Sequence, residues 1–221
     1  MFFSSIRQKP KELVDIQELI IDRNPSHSDQ LPTVCLDLDN TLLYVVNKRS
    51  HMRKGGPANI KPEWLGRCID VAIDDRDPTM QFSILARPGS IELLVQLHRY
   101  ANPVIYSSVT EEFIESLLLT LSIAQGDPDA EDYSDKRAEG AGVCMDLYSW
   151  SRKQCIQTQK GYKKSLGHFC EHNDLGINNV WMITAKPELV DITNRTVAVP
   201  PYYGDPDDRA LFKLMDDIFI N

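Results

Sequence analysis

Asp37 and Asp39 are the residues of this sequence best placed to do chemistry. They stand in Asp37-Leu38-Asp39-Asn40-Thr41, directly after the apolar run 33–36. Residues i and i+2 of a strand face the same side, so both carboxylates reach one site. Two acids at the end of a buried strand are costly unless a reaction or a metal needs them. An aspartate can attack a phosphoryl group and carry it covalently. A second acid beside it can protonate the leaving oxygen and then activate water. A divalent hard cation suits such oxygen ligands and would neutralise phosphate charge. The competing reading is two acids that end a strand before an Asn-Thr turn. The apolar run in front and Thr41-Leu42-Leu43 behind favour the chemical one.

These acids need a frame, and the chain supplies one in alternating elements. Residues 33–38 read as a buried strand. Residues 68–74 and 80–86 alternate apolar and polar around the turn Asp75-Arg76-Asp77-Pro78, which predicts a hairpin. Gly89-Ser90 opens a helix with Ile91, Leu94 and Val95 on its buried face. Residues 103–108 form the next strand. Ser108 and Glu111 form a capping box for a helix that runs to about residue 124, where Gly126-Asp127-Pro128 stops it. Strands are expected over 143–150, 179–184 and 196–199, with a helix over 163–171. Asp207 and Asp208 cap a last helix carrying Leu211, Leu214, Met215 and Ile218 on one face. Residues 44–66 and 126–142 read as solvated loops, the second acidic. Upstream, Leu13, Ile16, Leu19 and Ile20 make a helical stripe over 10–22, which Asn24-Pro25 ends. The expected division is therefore an N-terminal helix and linker over 1–30 and one domain over 31–221. Strands alternating with helices predict a three-layer α/β sandwich with a mostly parallel sheet. Its site should lie at the carboxyl ends of the strands, which is where Asp37 and Asp39 stand.

Composition narrows the class. The 221 residues are 42% apolar and 25% charged, an ordinary globular balance that excludes disordered and fibrous chains. The net charge of −8 gives no means of gripping a phosphate backbone over many contacts, so no direct nucleic-acid binding is expected. The same sign argues against a polybasic membrane surface. No run approaches the ~18 apolar residues of a membrane helix. The most apolar stretch, 113–124, is broken by Glu115, Ser116, Thr120 and Ser122. Residues 1–13 lack the apolar core of a signal peptide. Five cysteines, odd in number and without C-x-x-C, read as free thiols in a reducing compartment. An intracellular protein is expected, with cytoplasm and nucleus not distinguished.

LDLDNTLL at 36–43 resembles the D-x-D-x-(T/V) signature of haloacid-dehalogenase-superfamily phosphatases. The likeness is greatest to the small RNA polymerase II C-terminal-domain phosphatases and the NLI-interacting-factor-like family. Residues 68–94 resemble that family's β-hairpin flap, its R-P-G segment and the helix that follows. VIYSSV at 104–109 sits where the family has its second motif, and Ser107 matches the motif hydroxyl. Residues 147–166 resemble the segment leading to the third-motif lysine, matched by Lys164, with Lys160 and Lys163 as alternatives. The resemblance spans about 31–219. It implies a haloacid-dehalogenase-like sandwich with a hairpin flap. It also implies a Mg2+-dependent phosphomonoesterase acting on phosphoserine or phosphothreonine in a protein or peptide segment. Asp37 would attack phosphorus, and Asp39 would serve as acid and then base. Thr41, Ser107 and Lys164 would bind the phosphoryl group. Mg2+ would sit on Asp37 and the Asp39 backbone carbonyl, with Thr184 as a further candidate ligand.

One position departs from the family. Its fourth motif places a metal-binding Asp at the end of a strand; here the strand 180–183 is followed by Thr184-Ala185-Lys186-Pro187. A neutral hydroxyl is a poor Mg2+ ligand beside a carboxylate, and Lys186 adds a positive charge. Asp191 could fold back to replace the missing acid. The departure supports a second reading, a weak or inactive phosphatase fold kept as a binding or scaffold subunit. A small-molecule phosphatase is disfavoured because no large cap insertion separates the motifs. His168, Cys170 and His172, with Cys155, lack the pairing of a zinc site and are read as surface and core residues. Arg49, Arg53 and Lys54 form a small basic patch in the first loop.

Overall fold

The computed structural model describes residues 19–23, 30–47, 68–72, 81–123, 147–159 and 161–220. The first strands are β1 (Ile21–Asp22), β2 (Thr33–Leu36), β3 (Leu43–Asn47), β4 (Ile69–Ala72) and β5 (Gln81–Ala86). Helix α1 (Ser90–Tyr100), β6 (Asn102–Tyr106), α2 (Glu111–Ile123), β7 (Tyr148–Trp150), β8 (Ile156–Thr158) and β9 (Gly161–Lys163) follow. The chain closes with α3 (Leu166–Asn173), β10 (Val180–Thr184), β11 (Thr196–Ala198), α4 (Ala210–Ile218) and β12 (Phe219–Ile220).

Five strands pair in parallel in the order β11-β10-β2-β6-β7. Every side chain of β2 and β10 is buried, as a strand covered on both faces requires. Their alternation divides the core in two. Val34, Leu36, Ile105, Trp181 and Ile183 join a cluster with α1, α2 and α4. Cys35, Val104, Tyr106, Val180 and Met182 join Leu166, Phe169 and Cys170 of α3 on the other face. This is the three-layer α/β sandwich that the strand-helix alternation predicts. The hairpin of β4 and β5 is present as expected, and β3 pairs with β5 to make a three-stranded antiparallel flap in the order β3-β5-β4.

Several local expectations are corrected. Residues 43–47 are a strand where a loop was read from position 44, because the flap's hairpin offers them an edge to pair with. The rest of that loop, with Arg49, Arg53 and Lys54, lies outside the described residues, as do the acidic loop and residues 1–18. Residues 19–22 are not helical: β1 pairs in parallel with β12, and Leu19 and Ile21 are buried in the main core. The helix expected from 163 begins at Leu166, because 161–163 pair with β8 and the Ser165 hydroxyl caps the first turn by accepting from His168 N–H at 3.1 Å. Helix α2 begins at Glu111, so Thr110 rather than Ser108 precedes it. Of the two acids expected to cap α4, Asp208 accepts from Ala210 N–H at 3.0 Å. Asp207 instead donates its backbone N–H to Asp205.

Candidate active site

The geometry starts from the carboxyl end of β2. Asp37 N–H donates to the Ile183 carbonyl at 3.0 Å, which extends the β2–β10 ladder by one bond and holds the acid at the carboxyl end of the central strand. Its carboxylate is buried. Oδ2 accepts from Lys164 Nζ and from Thr184 Oγ1, each at 2.9 Å, and Oδ1 accepts from Leu38 N–H at 3.0 Å. The Lys164 and Asp37 side chains are only 2% and 4% exposed, so this ion pair is shielded from water. Three expected site residues thus meet: Asp37, Lys164 and Thr184.

Lys164 is fixed by its backbone. Its N–H donates to Leu189 at 2.8 Å, and its carbonyl accepts from Asp191 N–H at 3.1 Å. The Asp191 carboxylate accepts from Ser165 Oγ at 2.6 Å and Leu166 N–H at 2.8 Å. Asp191 therefore anchors the start of α3 and does not fold back to Asp37. Of the alternative lysines, Lys163 lies in β9 and Lys160 is outside the described residues.

Asp39 has a different partner. Its Oδ2 accepts from Lys186 Nζ at 2.9 Å, and both side chains are somewhat over a third exposed. Burial works against the Lys186 charge, but Asp39, then Asp37 and Glu188, outweigh it and hold the ammonium above its ordinary range. Thr184 Oγ1 accepts from Lys186 N–H at 3.0 Å while donating to Asp37, so one hydroxyl links the two ion pairs. Tyr44 lies near Asp39 and stacks edge-on against Tyr203, with centroids 5.8 Å apart. Burial, then the Asp39 charge, raises its phenol above the usual value.

The turn after β2 is braced from three sides. Asn40 has φ +62°, a left-handed position that Asn tolerates better than most residues. Its side-chain amide donates to the Tyr202 carbonyl at 2.9 Å, and Tyr202 N–H donates to the Asn40 carbonyl at 2.8 Å. Thr41, expected as a phosphoryl contact, accepts from Ala185 N–H at 2.9 Å and ties the β2 and β10 turns together. Arg87 was not singled out from the sequence. It is fully buried, bonds Asp208 through Nε and one terminal nitrogen at 2.9 and 3.0 Å, and donates to the Thr41 carbonyl at 3.1 Å. The signal for it was an arginine directly before Pro88-Gly89, matched by the acidic turn 205–208.

Ser107 follows β6, whose register sets Ile105 beside Leu36. It is 1% exposed, and its hydroxyl has no hydrogen-bond partner among the described residues. A buried hydroxyl left unpaired costs about 1–3 kcal/mol, which a bound oxygen would recover. Cys155 packs against the Ser107 carbonyl, its Sγ 3.7 Å away, and burial pushes its thiol up to about 11, against a smaller downward pull from Lys164. His168 and His172 both stack on Trp150, at 5.5 and 5.3 Å between centroids.

Among the described residues no group of three or more His, Cys, Asp or Glu is placed to hold a metal ion. Of the expected Mg2+ ligands, Asp37 is the single carboxylate. Its Oδ2 already takes an ammonium and a hydroxyl proton, and Thr184 donates that proton rather than offering a lone pair inward. A hard cation relies on carboxylates, and here two ammonium groups balance the two acids. The donor set does not fit Mg2+.

Residues 32–218 match the family described as NLI interacting factor-like phosphatase. The chain belongs to that family. Two solved structures share its fold. One is a variant of the fission yeast RNA polymerase II CTD phosphatase Fcp1 bound to beryllium fluoride: 17% identity, TM-score 0.50, 78% of this chain and 42% of the other covered. The second is Fcp1, described as an essential RNA polymerase II CTD phosphatase: 16% identity, TM-score 0.52, 85% and 48% covered. The chain thus spans less than half the length of either. A comparison with curated proteins finds no match. The fold is that of the haloacid-dehalogenase-like phosphatases, which agrees with the resemblance read from LDLDNTLL. Among the described residues no helix of this NLI interacting factor-like chain is long and apolar enough to cross a membrane.

Proposed function

We propose that this chain is a phosphomonoesterase that works through an aspartyl-phosphate on Asp37 and acts on phosphoserine or phosphothreonine in a protein segment. The observation that supports it is the buried Asp37, held at a strand end by Lys164 and Thr184, with Asp39 two residues away. Asp37 Oδ1 accepts one backbone N–H and Oδ2 accepts two side-chain protons, so Oδ1 has the freer lone pair for attack. A bond forms from Oδ1 to phosphorus as the ester bond breaks, and its electron pair leaves on the serine or threonine oxygen. Asp39 gives that oxygen a proton. A water then attacks phosphorus, Asp39 takes its proton, and the Asp37 carboxylate departs, releasing inorganic phosphate. Lys164 and the unpaired Ser107 hydroxyl would hold the transferring oxygens, where charge builds up. The phosphatase unit we assign is 31–221, with residues 19–22 clasped to its edge. No step is assigned to Mg2+, because the donor set does not match it.

A second reading, phosphate recognition without turnover, is favoured by one contact: Lys186 engages Oδ2 of the Asp39 carboxylate on which proton transfer relies. Phosphate release from an aryl phosphate and from a phosphoserine peptide separates the two. Wild type should turn over and Asp37→Asn should lose at least 1,000-fold in kcat. Turnover unchanged in Asp37→Asn would overturn the mechanism, and peptide binding with no release would establish the second reading.

A further inference from the structure

Thr184 and Lys186 change the site in one direction. Compared with a carboxylate at 184 and a neutral residue at 186, they make it two charge units more positive, which is the charge a divalent ion would bring. Both residues are engaged with the acids rather than turned away from them: Thr184 donates to Asp37, and Lys186 reaches Asp39. Lys164 adds a second ammonium on Asp37. The two cations differ in freedom. Lys164 is buried and clamped by its own backbone on both sides. Lys186 is more than a third exposed, on a flexible four-carbon stem. One strand over from Asp37, just past the end of β6, the Ser107 hydroxyl is buried and has no hydrogen-bond partner among the described residues.

We propose that this site takes a phosphate monoester without a divalent ion, Lys186 leaving Asp39 to bind the phosphoryl oxygens in the place a metal would fill. The proposal rests on the reading of the site as one for phosphate esters. Lys164 and Ser107 complete the cradle. The exchange does two things at once. It brings a positive charge against an arriving dianion, and it releases Asp39 Oδ2 for proton transfer only when a phosphoryl group is present. An empty site keeps its acid occupied; a filled site frees it. Thr184 takes part as a positioning residue, since its Oγ1 accepts from Lys186 N–H and sets where the lysine stem starts.

The test is titration calorimetry of the full chain with inorganic phosphate and with a peptide carrying a non-hydrolysable phosphonate in place of phosphoserine, in chelator and then with Mg2+ in excess. Wild type should bind both ligands in chelator, with Mg2+ changing Kd less than twofold. Lys186→Met should weaken binding at least tenfold in either buffer, and Lys186→Arg should keep most of it. The pair Thr184→Asp with Lys186→Asn should restore a metal-binding donor set, so that its phosphate affinity rises at least tenfold with Mg2+. Wild-type binding that vanishes in chelator and returns with Mg2+ overturns the proposal. So does a folded Lys186→Met that binds like wild type. Aryl phosphate turnover run beside the titrations keeps the two readings apart. Turnover that needs both Asp37 and Mg2+ sinks the metal-free site and leaves the phosphatase. Metal-free binding without turnover sinks the phosphatase and leaves the site.

Discussion

Asp37 is buried with its charge, and that charge is tolerable because Lys164 sits 2.9 Å away in the same dry pocket. Removing one partner of such a pair strands the other. Lys164→Met should therefore cost about 3–5 kcal/mol in a denaturant titration. Adding Asp37→Asn to it should recover part of the loss, because the stranded carboxylate is then gone; a double-mutant cycle reads the difference. Cys155 gives a residue-scale prediction in pH. Its thiol ordinarily ionises near 9, and burial moves it to about 11 in the folded chain. The unfolded thiol then loses its proton first. The stability this group contributes is fully present below pH 9 and is lost as pH rises toward 11. Alkylation of Cys155, followed by peptide mapping, should accordingly stay slow at pH 8 and accelerate with a midpoint near 11, and Cys155→Ser should flatten the alkaline limb of stability.

Elements place these residues, and they were unequally legible. The strand before Asp37, the hairpin of β4 and β5, and β6 and β10 were all readable, because apolar runs bounded by turn residues leave few other choices. Strand β3 was not, since Tyr44-Val45-Val46-Asn47 runs into a long polar stretch and is a strand only because β5 offers an edge. Asp37, Lys164 and Thr184 were legible as positions, but their contact was not, because strand order and register are tertiary facts. Lys186 could be placed near the site by counting; its bond to Asp39 could not. Asp191 shows the same limit: an acid at the right distance in sequence is spent on Ser165 and Leu166. Where α1 begins, backbone geometry is decisive. Gly89 has φ +85°, and a Cβ there would meet Leu211 Cβ at 3.2 Å and Phe212 at 3.3 Å. Gly89→Ala should destabilise by about 1–2 kcal/mol from the left-handed backbone alone, with the packing clash against α4 adding to it in a urea titration.

For the whole molecule, the tie between residues 19–23 and residues 218–220 matters most. Leu19 and Ile21 belong to the same cluster as Ile218 and Phe219, and Arg23 N–H donates to the Ile220 carbonyl at 3.1 Å. The stretch 19–23 lies upstream of the family match at 32–218, yet its Leu19 and Ile21 are buried in the main core cluster. Ile21→Ala should cost about 2–4 kcal/mol by thermal or denaturant melting, as a core cavity does, although the position lies outside that match.

That tie also sets how the protein meets mechanical load. β1 and β12 run parallel, so the chain enters the pair at one end and leaves it at the other. A pull applied between residues 19 and 220 drags the strands past each other lengthwise. Their few bonds are then strained together, as in a lap joint, rather than opened one by one like a zipper. The joint is short, two residues on each side. Asp37 follows β2, Lys164 precedes α3 and Lys186 follows β10, so none of them belongs to the pair that takes the load. A stretched chain should therefore give up its seam before it gives up its chemistry.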